Sequence, residues 1–466
     1  MDCFPLFRSI VHLATFCACL LISYAVAIGA EQRRPSLDKD FERFVAEKRE
    51  LAQQLGKLHA VSVPPLIWKF FDAVQSNNWQ AASNAFYKIE PGTGRHGGRA
   101  WVPLTLWGPI HDTFGAYEVV NSWNIGLVHR FGNAIIRTIP PGSLYFGGTD
   151  AGRFVVSFLS ESHSQGRPFF AITQNALADG AYLDYLRDMY GTNLWIPAIE
   201  DSQRAFQDYL FDVQVRTANN RLLEGESVKI VNGRAQVSGL ISVMKINETL
   251  ARMIVENNSS REVYLEESFP MQDLYGQSLP HGLIFQVKHQ PLNEIPLLAI
   301  ETDRKFWTDQ CQELLGGPVK QDTSVRNLCS WSELVFLHPE SKRFEGNRDY
   351  VKDAQAPQYY SQCRSAIAGY YHWWAKKLGG SATELLERES DYAHRQAIAL
   401  SPFNPVVIVR YTDFLLENRR TNDAKILIQT SLRIGPEKHM EVDSEILKAA
   451  LEKLRLQSKQ LLSLGQ

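Results

Sequence analysis

Residues 140–190 read PPGSLYFGGTDAGRFVVSFLSESHSQGRPFFAITQNALADGAYLDYLRDMY, and the order of patterns within them decides the fold. Pro140-Pro141-Gly142 is turn chemistry, residues 143–146 are a short apolar run, and Gly147-Gly148-Thr149-Asp150 is a tight bend. A helix is expected next, with Phe154, Val155, Phe158 and Leu159 on one face. Gly166-Arg167-Pro168 punctuates the chain again, a strand is expected over 169–173, and after a second bend a helix over 180–190. Strand, turn, helix, strand, turn, helix is the unit from which parallel sheets with crossover helices are built. The expectation is an α/β fold: a Rossmann-like, mostly parallel sheet domain flanked by an N-terminal helical hairpin and C-terminal tetratricopeptide-like helices.

Downstream the pattern loosens. Residues 202–219 and 247–256 read as helices, and 227–231, 234–237, 262–265 and 283–287 as strands. Past about residue 300 the periodicity is helical throughout. Ser381-Ala382-Thr383-Glu384 has the form of a capping box, and Pro402 and Pro436 stand 34 residues apart, the tetratricopeptide period. Ala397, Ala424 and Ser431 supply small residues for close helix approach, and 444–462 closes the chain as an amphipathic helix. Upstream, residues 36–58 place Leu37, Phe41, Phe44, Leu51, Leu55 and Leu58 at near-helical spacing, a helix suited to standing a domain off a membrane. Pro64-Pro65 opens a second helix with Ile67, Phe70, Phe71 and Val74 on its apolar face. Trp79, Ala82 and Phe86 continue a hairpin after Asn77-Asn78.

The N-terminus carries the clearest single signal. Arg8 precedes an uncharged run over 10–30, which Glu31-Gln32-Arg33-Arg34 ends, the form of a secretory signal peptide or an uncleaved anchor. The resulting division is 1–30 signal or anchor, 31–135 helical, 136–300 α/β and 301–466 helical. An extracytoplasmic location follows, periplasmic or tethered to the membrane through the N-terminal segment. The formal net charge of −2 offers no field that would recruit nucleic acid. Cys311, Cys329 and Cys363 fit no C-x-x-C spacing and read either as one disulfide with a spare thiol or as three inert buried thiols.

The blocks 140–154 (PPGSLYFGGTDAGRF) and 172–191 (ITQNALADGAYLDYLRDMYG) resemble an uncharacterised bacterial family of exported proteins ending in tetratricopeptide repeats, a likeness that covers about 60–460. More distantly, with 241–268 (ISVMKINETLARMIVENNSSREVYLEES) and 279–287 (LPHGLIFQV), they are similar to the soluble region of bacterial protein O-mannosyltransferase-like membrane proteins over about 139–287. The resemblance implies an extracytoplasmic α/β module. It carries no transferase activity across, because the multi-span portion that would hold the sugar-transfer machinery has no counterpart here.

In an open parallel sheet, ligands sit beyond the carboxyl ends of the strands. Gly147, Gly148, Thr149, Asp150 and Asn175 are therefore the candidate ligand-binding residues, and Asp150, Asn175 and Asp179 the candidate catalytic ones. Their plainer roles are a helix cap at Thr149 or Asp150 and turn-building at Asn175 and Asp179. Glu266-Glu267-Ser268 ends a third strand and either completes an acidic site or stands in solvent. His111-Asp112 lacks other metal-ligand spacing, His163 lies among serines, and neither Gly-x-Ser-x-Gly nor His-Glu-x-x-His occurs. The Gly-rich loop 91–99 has no Lys-Ser/Thr ending for phosphate. Asn247 and Asn258 head glycosylation sequons, which would be incidental in the bacterial protein that the resemblance implies. No metal and no particular cofactor is assigned. The leading expectation is a ligand-binding or protein-interaction module of the cell envelope, with a small-molecule or glycan ligand and a protein partner on the repeats. The alternative is an envelope enzyme, a hydrolase or a relative of sugar-transfer machinery, using the loops after the first two strands.

Overall fold

A computed structural model describes residues 37–91, 100–160, 166–223, 226–231, 234–317 and 319–437. Expectations that fall on 1–30, 92–99, His163 and 444–462 lie outside these residues. No helix among those described is long and apolar enough to cross a membrane.

Three helices come first: α1 (Lys39–Leu58), α2 (Pro65–Gln75) and α3 (Trp79–Phe86). Asp38 caps α1 by accepting from the Asp40 and Phe41 amides, and Pro65 opens α2 where its missing N–H costs nothing. Leu37, Phe41, Phe44, Leu51 and Leu55 are buried, whereas Leu58, at the end of α1, is 65% exposed. The apolar face of this helix is a core face: Phe41 stacks on Tyr117 with ring centroids 5.7 Å apart and meets Phe158 edge-on. A short parallel pair, β1 (Ile89–Pro91) and β2 (Ala100–Val102), leads to α4 (Trp107–Ser122) and α5 (Ile125–Ile136).

The main sheet comprises β3 (Leu144–Gly147), β4 (Phe170–Thr173), β7 (Val263–Leu265), β8 (Ser278–His281) and β9 (Ile284–Val287), in the order β4-β3-β7-β9-β8. β5 (Ser227–Val231) and β6 (Arg234–Ser238) make an antiparallel hairpin of their own. β3 pairs in parallel with both β4 and β7, and every residue of β3 and β7 is buried, as strands covered on both faces require. β9 runs antiparallel to β7. The sheet is therefore mixed, where the sequence predicted one mostly parallel. The departure comes from β8, which the sequence hides: Pro280 demotes the run, and the strand is tolerated because it lies at the sheet edge. Gly282, at φ +66°, turns the chain tightly enough to send β9 back beside β7.

Between the strands lie a π-turn (Ala151–Val155) running into α6 (Val156–Ser160), then α7 (Gly180–Tyr190), α8 (Ile199–Ala218) and α9 (Leu240–Asn257). The short α10 (Gln272–Tyr275) precedes β8. The remainder is helical: α11 (Leu297–Leu315), α12 (Val325–Leu337), α13 (Arg348–Lys352), α14 (Ala356–Leu378), α15 (Gly380–Leu400), α16 (Pro405–Glu417) and α17 (Thr421–Glu437). α15 starts one residue before the predicted capping box, with Gly379 at its N-cap and no side-chain cap bond. The side chain of Ser381 lies outside the described residues.

By contacts the chain forms two units. One takes in the described residues of 37–121, 132–278 and 285–291, so the N-terminal helices share a unit with the sheet. The other takes in the described residues of 122–131, 279–284 and 292–437. The second unit is organised around a fully buried guanidinium. Arg364 donates to Asp303 at 2.7 Å and to Gln396 at 2.8 Å, and Tyr371 donates to the same Asp303 oxygen at 2.8 Å. Its three cysteines are free and buried, which removes the disulfide alternative. Burial pushes the Cys311 thiol up to about 12 and the Cys329 thiol up to about 11, so both stay protonated and unreactive.

Candidate functional site

The carboxyl ends of β3, β4 and β7 converge where the sequence placed a ligand, and one side chain occupies that place. Oε2 of Glu266, which follows β7, accepts from the Gly148 amide at 2.7 Å and the Thr149 amide at 2.6 Å. Oε1 accepts from the Thr149 hydroxyl at 2.8 Å. Thr149 Oγ1 in turn accepts from the Gly152 amide at 3.0 Å. The glycines serve this internal carboxyl: a Cβ on Gly152 would lie 2.1 Å from Glu266 Oε2, and one on Gly148 2.3 Å from the Glu266 carbonyl. Amides that could cradle a ligand anion hold an anion-forming group of the chain itself. Burial raises the proton affinity of Glu266 more than these hydrogen bonds lower it.

The predicted residues separate accordingly. Thr149 serves as the cap. Asp150 already has helical backbone angles (φ −59°, ψ −38°), from which its carboxylate makes no capping bond. Asp179 caps α7 through the Ala181 amide at 2.9 Å, and Asn175 is exposed. Gln174, beside it, turns inward: its Oε1 accepts from the Ser268 amide at 3.2 Å. Glu267 accepts from Tyr275 at 2.6 Å. The sequon residue Asn247 is buried and accepts from the Ala178 amide at 2.6 Å. Asn258, also buried, bridges both backbone groups of Trp195.

Sequence reasoning missed a charged cluster on the other flank of β3. Lys48 on α1, fully buried, donates to Asp112 at 2.8 Å and to the Tyr185 hydroxyl at 2.7 Å, and Tyr185 donates to the same Asp112 oxygen at 3.0 Å. Arg153 Nη2 bridges Asp112 Oδ1 and His111 Nδ1, both at 3.0 Å. A guanidinium has only donors, so His111 accepts through Nδ1 and carries its proton on Nε2. Burial, with Arg153 beside it, lowers His111 to about 3 and keeps it neutral. Burial alone would raise Asp112, but Lys48 and Arg153 outweigh it and hold the group as a carboxylate. Glu118 is pushed up to about 7 by burial and by the charge of Asp150, which burial raises in turn against the pull of Arg153. Among Lys48, Asp112, Arg153, Thr173 and Tyr182 remains a cavity of about 20 Å³, space for roughly one water molecule.

A larger concavity lies wholly within the second unit. It is about 450 Å³ and is walled by the end of α11 (Leu315, Gly316), Asp322 ahead of α12, Asn327 and Trp331 on α12, and the segment 343–345. Gly316, at φ +74°, ends α11 in the left-handed conformation; a Cβ there would lie 3.1 Å from the Gly346 amide, so glycine lets the 343–347 segment cross closely. Ser324 caps α12 through the Asn327 amide at 3.2 Å. Comparison with protein-family models, curated proteins and solved structures finds no match for the chain.

Proposed function

We propose that the protein is a ligand-binding and protein-interaction module of the bacterial cell envelope, exported or tethered by its N-terminal segment, with its ligand site in the α11–α12 cleft. The observation that carries this reading is the contrast in space. About 450 Å³ falls within the range of small-molecule sites. The strand-end cavity admits no more than a water molecule, and Glu266 fills the amide cradle beside it. On this reading the β4-β3-β7 half of the sheet is a Rossmann-like beginning whose ligand crevice has become a structural lock. The helices of the second unit would serve a protein partner.

The test is a melting-temperature screen of the chain against sugars, nucleotides, sugar nucleotides and metal ions, with Trp331→Ala and Asp150→Asn alongside. A ligand that binds only the folded state raises the melting temperature. A shift lost in Trp331→Ala and kept in Asp150→Asn is expected; the reverse pattern would overturn the assignment. A second reading, an envelope enzyme, draws on Glu118, pushed up to about 7 where it suits a general acid, with Asp150, also raised by burial, beside it. It requires a shift that Asp150→Asn abolishes.

A further inference from the structure

We infer that the α11–α12 cleft binds a saccharide, neutral or amino-bearing; the inference rests on the binding reading above and narrows it to a ligand class. The first support is the indole. Trp331 lines the cleft half-buried and makes no ring contact and no hydrogen bond among the described residues, in a chain where aromatic pairs are common. A flat apolar face presented to a wet cleft matches the C–H face of a pyranose ring, which has an apolar side and a polar rim. The second support is the rim. The side chains of Asp322, Asn327, Arg343 and Glu345 also line the cleft, and none makes an intramolecular hydrogen bond or ion pair among the described residues.

Carboxylate, amide and guanidinium are planar groups that address two neighbouring hydroxyls at once, the first as acceptor, the last as donor and the amide as both. Charge separates the ligand classes. Two carboxylates against one guanidinium leave the rim formally negative, which repels a phosphate-bearing nucleotide and suits an uncharged polyol or an amino sugar.

The experiment is titration calorimetry and saturation-transfer NMR on the full chain with N-acetylglucosamine, glucosamine, galactose and β-linked disaccharides, and with ATP, inorganic phosphate and a basic peptide as competing classes. Saccharide binding is expected to weaken tenfold or more in Trp331→Ala and less in Trp331→Phe, which keeps a flat ring. Asp322→Ala and Glu345→Ala should weaken it while leaving the melting temperature unchanged, because these side chains hold nothing else in place. ATP or peptide binding that depends on Trp331, with no saccharide response, would overturn the ligand class and leave the cleft as a binding site. No response to any probe by a chain that melts cooperatively would overturn both readings. Saccharide binding unaffected by all four substitutions would overturn the location.

Discussion

Replacing Glu266 tests the lock at the strand ends most sharply, because the three obvious substitutions have different consequences. Alanine removes the acceptor for the Gly148 and Thr149 amides and for the Thr149 hydroxyl. A buried donor left without a partner costs about 1–3 kcal/mol. Two stranded amides, eased by water entering the space vacated, give an expected loss of about 3–4 kcal/mol. Glutamine retains one oxygen for both amides and places an NH₂ group where it can donate to Thr149 Oγ1, reversing the direction of that one bond. The expected loss is below about 1 kcal/mol. Aspartate, one methylene short, should fall between them. Calorimetric melting ranks the three, and hydrogen exchange at Gly148 and Thr149 reports the amides themselves. The alanine variant adds a further signature: formate or acetate can enter the emptied cradle, so it should regain melting temperature with added carboxylate while the parent does not. Equal stability of the alanine variant and the parent, or glutamine as damaging as alanine, would refute the lock.

Further outcomes follow from the charged cluster. Asp112→Asn strands both Lys48 and Arg153 and should cost about 3–5 kcal/mol, whereas Lys48→Met leaves Asp112 paired with Arg153 and should cost less; denaturant midpoints decide, and the opposite order would contradict the assignment of Arg153 as second partner. Glu118, raised from 4.5 to about 7, contributes stability that is complete below pH 4.5 and is lost as pH rises through 7. Glu118→Gln should therefore flatten that part of the stability–pH profile, by about 2 kcal/mol after allowance for partial contact with water. His111, lowered from 6.5 to about 3, contributes stability that is complete above pH 6.5 and lost as pH falls through 3, so His111→Gln should flatten the acid limb of the same melting series. Asn247→Ala leaves the buried Ala178 amide without its acceptor and should cost about 1–3 kcal/mol by melting, with no effect on ligand response.

How much of this was legible in the sequence depended on how local the signal was. β3, β4 and the bend between β3 and the π-turn follow from composition and punctuation within 140–190, because apolar runs and Gly, Pro and Asp clusters act over a few residues. The hairpin that makes the sheet mixed was concealed by Pro280, whose meaning depends on whether its strand is central or at an edge. Asp150 drew attention as a helix-start acid, yet helix geometry begins with it, and Thr149 one residue earlier takes the capping role. The charged cluster joins residues 64 and 137 positions apart, a distance over which periodicity is silent. One trace of it was present: Lys48 falls on the same face of α1 as Phe44, Leu51 and Leu55, and a lysine on an apolar stripe calls for a buried partner. Glu266 was noticed at its strand end, but its partners are backbone amides, which no sequence pattern reports. The cleft gathers residues from the end of one helix, the start of the next and a later segment, so only the fold assembles it.

The central claim is that binding resides in the α11–α12 cleft and that the strand-end crevice is closed. Amide hydrogen exchange of the full chain, with and without a mixture of N-acetylglucosamine, glucosamine and β-linked disaccharides, tests it most directly. Added protection confined to 315–331 and 343–347, with 147–153 and 173–180 unchanged, is the predicted result. Protection appearing at 147–153 and 173–180 instead would place the ligand at the carboxyl ends of the strands and contradict the account.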